Sequence, residues 1–212
     1  MFRLETEHPV ALDSPDHIEP RGARFDNSIS LWFNAELIKM VGYKPKVLDF
    51  GCAGGGMVRT LLNDGCTAVG LEGCDWNLKH QKHEWPHIPE YLFTCDLRYP
   101  FLLHLGNRQP YKFDVVTMWE FIEHIPMDRI DTVLENAKKH MKPAGYIIGS
   151  TNDLSVVYNG IEHHLTLQPM SWWYAKFSEH GFCSLPEREA YFDKHNAWVR
   201  KSKSAFVVQL EN

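Results

Sequence analysis

A short apolar strand that runs directly into a cluster of glycines limits the folds open to this chain more than any other feature. Residues 46–50 read Lys-Val-Leu-Asp-Phe, and glycines follow at positions 51, 54, 55 and 56, where a helix over 54–62 is predicted to begin. Glycines let the backbone turn sharply and approach a ligand, because no side chain intervenes. The start of a helix also offers unpaired N–H groups to a negative group. The sequence therefore predicts a ligand-binding strand–loop–helix unit.

Strands and helices alternate along the rest of the chain, which predicts an α/β fold. Short apolar strands separated by helices form parallel sheets that helices cover on both faces. Near the C-terminus, only a polar stretch separates the strand candidates 190–192 and 204–210, so we expect an antiparallel hairpin there. The expected fold is a doubly wound, mostly parallel, seven-stranded sheet that ends in this hairpin. The other predicted strands are 46–50, 68–71, 91–95, 113–118 and 146–150, and the predicted helices are 28–40, 54–62, 75–84, 128–141 and 169–180.

Composition and length are typical of a soluble globular protein with one domain. The chain has 212 residues, of which 44% are hydrophobic and 23% are charged. Residues 1–27 are polar and rich in proline, so we expect an irregular N-terminal arm that lies over the surface or a site mouth, followed by a single domain over 28–212. No apolar run approaches the ~18 residues of a membrane span, and the N-terminus lacks the apolar core of a signal peptide. We expect no membrane partner.

The cysteines predict a reducing compartment. Their number is odd and no pair has CxxC spacing, so structural thiols in a cytoplasmic protein explain them better than disulfides or zinc. The cysteines are Cys52, Cys66, Cys74, Cys95 and Cys183.

An acidic residue ends the second predicted strand, at the position where an acid can bind the ribose of a nucleoside. Glu72 lies 21 positions after Gly51. A carboxylate at that strand end can accept hydrogen bonds from the two hydroxyls of a ribose. A nicotinamide-binding loop would read G-x-G-x-x-G, but Ala53 occupies the place of the second glycine and Asp49 precedes the first. The loop and the acid together predict that a nucleoside cofactor is bound.

The segment from Val47 to Gly56 resembles motif I of the class I S-adenosylmethionine-dependent methyltransferases, although many members have Cys-Gly where this chain has Cys52-Ala53. The resemblance extends from about residue 46 to the C-terminus and implies a Rossmann-like fold, S-adenosylmethionine as cofactor and a methyltransferase domain over 28–212. It implies that Glu72 binds the ribose and that Asp96 contacts the adenine. The candidate cofactor-binding residues are Asp49, Phe50, Gly51, Cys52, Ala53, Gly54, Glu72, Gly73, Asp96, Leu97 and Trp119.

Two acids and a histidine follow the fourth predicted strand at helical spacing. Glu120, Glu123 and His124 stand at i, i+3 and i+4, so a helical turn would place them on one face. Two carboxylates at one strand end repel each other unless a positive group joins them. Oxygen ligands with one imidazole suit Mg²⁺ or Mn²⁺. A helix cap combined with a wall of the substrate pocket is the alternative interpretation.

A second histidine-bearing loop follows the fifth predicted strand, in the segment Glu162-His163-His164. Its position at the carboxyl ends of the strands lets it meet the first cluster. The pair resembles the small-RNA 2′-O-methyltransferases, which bind Mg²⁺ or Mn²⁺ through two Glu, one His and a later His, and the ubiquinone-pathway O-methyltransferases. The resemblance implies Mg²⁺ or Mn²⁺ as a second cofactor. The candidate metal ligands are Glu120, Glu123, His124 and His163, and the candidate catalytic residues are His124, His163 and His164.

A metal cluster favours O-methylation. A hydroxyl is a poor nucleophile near pH 7, and a bound divalent ion lowers its pKa. The Asn/Asp-Pro-Pro-aromatic run of many N-methyltransferases is absent, since Glu120-Phe121-Ile122 stands in its place. We expect divalent-metal-assisted methyl transfer to a sugar or glycan hydroxyl, with a small-molecule or glycan acceptor that carries vicinal hydroxyls. Candidates to line the acceptor pocket are His17, Arg21, Arg24, Tyr158, Trp172, Trp173 and Tyr174.

Several other functions stay open. The alternatives are a ribose 2′-O-methyltransferase on RNA and a quinone or catechol O-methyltransferase. RNA is less favoured as a partner, because a chain of net charge −5 lacks the basic surface that RNA binding recruits. A methyltransferase-like binding subunit without catalysis and an NAD-dependent oxidoreductase are further alternatives. The sequence leaves the oligomeric state open.

Overall fold

The computed structural model describes residues 1–195 and 204–211. The strands are β1 (Arg3–Thr6), β2 (Lys46–Phe50), β3 (Thr67–Glu72), β4 (Leu92–Thr94), β5 (Phe101–His104), β6 (Phe113–Trp119), β7 (Met141–Ser150), β8 (Val157–Tyr158), β9 (Ile161–Glu162), β10 (Phe182–Ser184) and β11 (Ala205–Leu210). The helices are α1 (Pro15–Ile18), α2 (Arg21–Phe25), α3 (Leu31–Val41), α4 (Gly56–Asn63), α5 (Trp76–His80), α6 (Ile130–Lys139), α7 (Met170–Glu179) and α8 (Pro186–Lys194).

A seven-stranded sheet organises the fold, in the order β10-β11-β7-β6-β2-β3-β4. The five strands from β7 to β4 are parallel, with Leu48 of β2 opposite Val116 of β6 and Val69 of β3. Strand β11 is antiparallel to both β7 and β10. The predicted fold class, a doubly wound and mostly parallel sheet with an antiparallel edge, is confirmed.

The antiparallel edge is built from a different strand than the sequence predicts. Residues 190–192, predicted as a strand, lie inside helix α8, and β10 takes their place beside β11. Pro186 at the first position of α8 and acidic residues in its first turn favour a helix start. Phe192 then packs its ring against Phe33 of α3. Residues 196–203, which the sequence places in the turn of the hairpin, lie outside the described residues.

The N-terminal arm is more ordered than predicted. It contains β1, α1 and α2, and β1 forms an antiparallel pair with β5, a strand that the sequence analysis does not predict. Phe2, beside β1, is buried against the rings of Tyr111 and Phe113. This apolar contact anchors the start of the arm to the domain, so that the following residues cross the edge of the sheet.

Both faces of the sheet are covered by apolar side chains, because successive residues of each strand point to opposite faces. Leu48 and Phe50 of β2 belong to one core cluster with α6 and α7, whereas Val47 belongs to the other with α3, α4 and α8. The same alternation recurs in β6, β7 and β11. Each burial of a large apolar side chain contributes about 1.5–3 kcal/mol, and the two layers together hold the parallel strands in register.

In the described part of the chain, no helix reaches the length and apolar character that crossing a membrane requires. The five cysteines are free thiols, and four of them are buried.

Two buried aspartates in neighbouring strands of the sheet have opposite environments. Asp114 at the start of β6 accepts hydrogen bonds from the Tyr43 hydroxyl and the Lys142 ammonium, each at 2.6 Å, and these contacts outweigh burial and lower its pKa. Asp49 in β2 accepts one hydrogen bond, from Thr117 Oγ1 at 2.7 Å. Burial raises the pKa of Asp49 to about 7. The folded protein therefore stabilises the protonated form of Asp49 and the ionised form of Asp114.

We expect Asp49→Asn to stabilise the ligand-free protein increasingly as pH rises from 5 to 7. The unfolded chain ionises Asp49 near pH 4, while the folded chain keeps its proton to about pH 7, so natural stability falls over this interval. The amide removes that loss, by up to about 1.4 kcal/mol for each pH unit. Denaturant unfolding at pH 5, 6, 7 and 8 measures it. Asp114→Asn is the matched control, with a loss of stability that stays constant over the same range. A gain for Asp49→Asn that does not depend on pH would contradict the assignment.

Candidate active site

A cavity of about 590 Å³ opens at the edge of the sheet where the parallel strands end. Residues that follow β2, β3, β4, β6 and β7 line it, together with residues of the N-terminal arm. The arm therefore lies over the mouth of a site, as the sequence analysis expects. The lining residues that the argument uses are Asp16, Arg21, Gly51, Ala53, Glu72, Gly73, Asp96, Leu97, Trp119, Glu120, His124, Tyr158, His163 and His164.

Two glycines of the loop after β2 stand where a side chain has no room. Gly51 has φ +74°, and a Cβ there would lie 2.6 Å from the ring of Phe121. A Cβ on Gly54 would lie 2.5 Å from Oδ1 of Asn27, and the Gly54 N–H donates to the carbonyl of Asp26 at 2.9 Å. The loop thus combines a left-handed turn with close contact to the arm, both of which require glycine.

Glu72 joins two loops of the cavity through its carboxylate. Oε2 accepts a hydrogen bond from the backbone N–H of Ala53 at 2.8 Å, and Oε1 accepts one from Cys74 at 2.9 Å. Burial raises the pKa of Glu72, while these two N–H groups act in the opposite direction. A carboxylate has about four lone-pair positions, so two stay available to ribose hydroxyls. The geometry fits the role predicted for Glu72.

Asp96 reaches the cavity, but its carboxylate is held by a neighbouring arginine. Arg98 donates from Nε to Oδ1 at 2.8 Å and from Nη2 to Oδ2 at 2.7 Å. Arg98 also contacts Asp13 of the arm, and the Asp96 N–H donates to the carbonyl of His8 at 2.9 Å. These contacts fix the loop after β4 and leave Asp96 oriented by Arg98. Adenine binding by Asp96 stays a prediction.

The other candidate cofactor residues divide into two groups. Gly73, Leu97 and Trp119 line the cavity with Gly51 and Ala53. Four other candidates are buried residues of β2 or of the glycine loop and are not among the lining residues described. They are Asp49, Phe50, Cys52 and Gly54.

The acids of the first histidine loop are separated by the backbone. A single 3₁₀ turn over Ile122–His124 follows β6, and Glu120 precedes it with φ +48°. The expected common helical face of the three residues is therefore not formed, although Glu123 and His124 have ligand atoms within 4.8 Å of each other and Glu120 belongs to no such set. Glu120 instead accepts a hydrogen bond from the Ser150 hydroxyl at 2.6 Å, at the end of β7.

Glu123 is fully buried, and within the described part of the chain neither of its carboxylate oxygens forms a hydrogen bond of normal geometry. The backbone N–H groups of Glu123 and Asn152 lie close enough only to lower its pKa slightly against the effect of burial. Burial raises its pKa to about 8, although the nearby His124 acts in the opposite direction. Its backbone carbonyl accepts from the N–H groups of Leu165 and Thr166 at 2.8 and 3.0 Å. These bonds tie the second histidine loop to the first.

The two histidine loops meet, as the sequence analysis expects. The ring centroid of His124 lies 4.7 Å from that of His164 and 6.5 Å from that of His163. Nδ1 of His164 donates to the carbonyl of Leu154 at 2.6 Å. Nδ1 of His124 and Nδ1 of His163 each lie 2.9 Å from a different oxygen of Asp16. Residues more than a hundred positions apart thus share one cluster.

This cluster has the chemistry of a divalent-cation site. Glu123 supplies two buried oxygens without partners, which is unusual for a carboxylate unless it is neutral or meets a cation. Two sets of three side chains could each hold one ion, because the three ligand atoms of a set lie within 4.8 Å of one another. The sets are Asp16, His124 and His163, and Glu123, His124 and His164. The residues of these sets therefore fit a cation. Of the four ligands that the sequence predicts, Glu120 belongs to neither set, and His163 belongs to the set with Asp16, to which its Nδ1 is hydrogen-bonded.

Of the seven acceptor candidates, two line the cavity and five lie elsewhere. Arg21 places its guanidinium 4.2 Å from the ring centroid of Tyr158, which contacts His163, and all three line the cavity. Trp173 is fully buried in the core, where its indole N–H donates to the carbonyl of Gln168. Trp172 and Tyr174 pack beside that core, and the Arg24 guanidinium lies over the ring of Phe25. His17 lies 3.9 Å from Asp75.

Sequence reasoning missed Asp16. Its carboxylate is the contact that joins the arm to both histidine loops. The only local signal is Ser14-Pro15, which starts the short helix α1, and Ser14 accepts the cap hydrogen bond from the His17 N–H. That signal predicts a turn of helix and carries no information on a partner 108 residues away.

Comparison with known proteins identifies the family. Residues 23–196 match the family described as "Methyltransferase domain". The chain is 33% identical over 153 residues to the ubiquinone biosynthesis O-methyltransferase of Nitrosospira multiformis, covering 69% of this chain and 62% of that protein. The protein of the same name from Nitrosomonas europaea is 31% identical over 157 residues, covering 71% and 64%. The chain thus spans less than two thirds of the length of these relatives.

Solved structures share the fold at low sequence identity. A sugar N-methyltransferase from Streptoalloteichus superposes with a TM-score of 0.62 at 13% identity, with 92% of each chain covered. The 1,6-didemethyltoxoflavin-N1-methyltransferase of Burkholderia thailandensis, with S-adenosylhomocysteine bound, superposes with a TM-score of 0.56 at 15% identity, covering 92% of this chain and 82% of that one. Together with the strand–glycine–helix loop and Glu72, these matches show that the chain belongs to the class I S-adenosylmethionine-dependent methyltransferases.

Proposed function

We propose that this chain transfers the methyl group of S-adenosylmethionine to a hydroxyl of a small aromatic diol of the catechol or quinol type. The observation that carries the proposal is the convergence of Glu123, His124 and His164 beside the cofactor cavity. An amine acceptor needs only to lose its proton, whereas a hydroxyl needs activation. The two imidazoles line the cavity and the carboxylate lies buried behind them, and together they serve that second requirement.

The acceptor class is supported by the names of the curated relatives. Two of these, at 31–33% identity, are ubiquinone biosynthesis O-methyltransferases. A sugar or glycan hydroxyl, the acceptor favoured by the sequence analysis, has less support, because the sugar methyltransferase among the solved structures shares only the fold. The quinone or catechol alternative therefore becomes the main proposal. A catechol keeps the vicinal pair of oxygens that the sequence analysis expects.

We further propose that Glu123, His124 and His164 hold a divalent cation. Mg²⁺ or Mn²⁺ in this position supplies a Lewis acid that lowers the pKa of an acceptor hydroxyl. Glu123 contributes the charge, and the cation would satisfy its two unpartnered oxygens. The Nδ1–H of His164 is donated to Leu154, which leaves the lone pair of Nε2 available as a ligand.

The remaining residues orient the acceptor and receive its proton. The Nδ1–H of His163 faces Asp16, so the lone pair lies on Nε2, a buried atom without a partner in the described structure. This atom is the proposed acceptor of the hydroxyl proton. Tyr158 and Arg21 form the adjoining wall, and residues of the arm line the cavity beside them. Positioning of this kind accounts for several kcal/mol of a reaction barrier.

Cofactor binding tests the role of Glu72. We expect Glu72→Gln to weaken binding of S-adenosylhomocysteine at least about tenfold, because a charge-assisted hydrogen bond to the ribose is lost. The amide also brings an NH₂ group toward backbone N–H donors. Isothermal titration calorimetry measures the affinity. Glu36→Gln is the matched control, since Glu36 is buried in α3 against Tyr191, outside the cavity. Equal affinities in both variants would contradict the assignment.

Acceptor and cation requirements test the proposed reaction. We expect methyl transfer to 4-methylcatechol with Mg²⁺ or Mn²⁺, much slower transfer to the monophenol 4-methylphenol, and about a hundredfold loss after EDTA treatment. Mass spectrometry of the products measures each rate. Faster methylation of a sugar diol or of an aromatic amine would overturn the proposed acceptor, and full activity after EDTA would overturn the cation. Cofactor binding without turnover of any acceptor would favour a binding subunit.

Substitution of Glu123 separates the cation site from the cofactor site. We expect Glu123→Gln to lower kcat about a hundredfold or more and to leave the affinity for S-adenosylhomocysteine unchanged, since Glu123 is not among the residues that line the cavity with the glycine loop and Glu72. Steady-state kinetics and calorimetry measure the two quantities. The matched control is Glu135→Gln on the exposed face of α6, where the carboxylate contacts only His180 among the described hydrogen bonds. A Glu123→Gln protein with normal kcat would remove Glu123 from the mechanism.

A further inference from the structure

One carboxylate of the N-terminal arm holds two imidazoles of the active site at once. Asp16 lies in α1, a single helical turn, and its two oxygens each lie 2.9 Å from Nδ1 of a histidine, His124 in one case and His163 in the other. In the sequence, His124 lies 108 residues and His163 lies 147 residues after Asp16. The His163 side chain is only 2% exposed, whereas the side chains of His124 and Asp16 are 22% and 27% exposed, so the hydrogen bond to His163 is the better shielded of the two.

An imidazole that donates one N–H to a carboxylate has a fixed tautomer and a fixed ring orientation. Histidines that bind metals almost always donate their other N–H in this way. Since Nδ1 of His124 faces Asp16, its Nε2 carries the lone pair. His124 also belongs to the set in which Glu123 and His164 place their ligand atoms within 4.8 Å. Asp16 therefore fixes the ring orientation of His124, one of the three residues of that set.

The arm that carries Asp16 also contacts each loop of the cofactor site. The Ala11 N–H donates to the carbonyl of Gly73, and the Gly54 N–H donates to the carbonyl of Asp26, each at 2.9 Å. The Asp96 N–H donates to the carbonyl of His8 at 2.9 Å. Asn159 in the turn between β8 and β9 donates to Glu19 at 2.9 Å. In this structure the arm is thus closed over the cavity.

We propose that Asp16 is the positioning carboxylate of the cation site and that cation binding and closure of the arm stabilise each other. The proposal rests on the cation site of the proposed function. A cation held by His124 would make the Nδ1–H a better donor to Asp16, and Asp16 in turn would keep His124 in the orientation that the cation needs. Because such coupling is reciprocal, a cation that binds more tightly to the closed protein also keeps the arm closed by the same factor.

Two measurements on the full chain test the proposal. Mn²⁺ affinity is followed by electron paramagnetic resonance, and arm closure is followed by the rate of tryptic cleavage after Arg21 and Arg24, which are exposed residues of α2. We expect Asp16→Asn to weaken Mn²⁺ binding about 10–100-fold. We also expect Mn²⁺ to slow cleavage in the unsubstituted protein and not in this variant. Asp16→Glu keeps the charge and should recover part of both effects.

The matched control is Glu19→Gln, in the same arm and likewise bound to the active-site side through Asn159, but without contact to an imidazole. Its Mn²⁺ affinity should stay within about twofold of the unsubstituted protein. Thermal unfolding shows that each variant is folded before it is compared. Equal Mn²⁺ affinity in Asp16→Asn and Glu19→Gln would overturn this inference and leave the proposed function intact. No Mn²⁺ binding by the unsubstituted protein would overturn the proposed cation and, with it, the role of Asp16.

Discussion

The parallel pairing of β2 with β3 and β6 is the constraint on which the rest of the molecule depends. Parallel strands end at one common edge, so every loop that leaves them emerges beside the others. Gly51, Glu72 and Trp119 stand at or directly after the ends of three such strands and line one cavity. Burial of apolar side chains on both faces of the sheet holds this register. The functional groups are therefore assembled by the same contacts that stabilise the fold.

Most of the fold could be predicted from the sequence, because its signals are local and repeated. Short apolar runs predict each of the five parallel strands, and the glycine at position 42 stands at the end of α3 with φ +85°. The edge of the sheet could not be predicted in the same way. Phe192 reads equally well as a strand or a helix residue in isolation, and its burial against α3 selects the helix. The pairing of β1 with β5 likewise depends on contacts about a hundred residues apart.

In the active site, too, some residues follow from local sequence signals and others depend on contacts between distant parts of the chain. The glycine loop and Glu72 follow from a short segment with a fixed order of strand, turn and helix, and the cavity contains them as predicted. The separation of Glu120 from Glu123 depends on one backbone angle, the positive φ of Glu120, which spacing alone does not encode. Asp16 lies further beyond the reach of sequence patterns, since its role depends on how the arm crosses the sheet edge. The residues that close a site are the hardest to predict because they come from elements with little regular structure of their own.

Three buried acids near the cavity give the site its electrostatic character. Burial raises the pKa of Asp49 to about 7 and that of Glu123 to about 8, and it raises the pKa of Glu72 as well. Three carboxyl groups near one edge of the sheet are therefore held at a cost to their ionised forms. A positive group brought into this region stabilises the ionised forms and recovers part of that cost. The sulfonium of S-adenosylmethionine is such a group, and the divalent cation that we propose near Glu123 would be a second. Without a ligand, burial favours the neutral forms of these acids, and a positive ligand favours the ionised forms, so ligand binding and ionisation of the acids support each other.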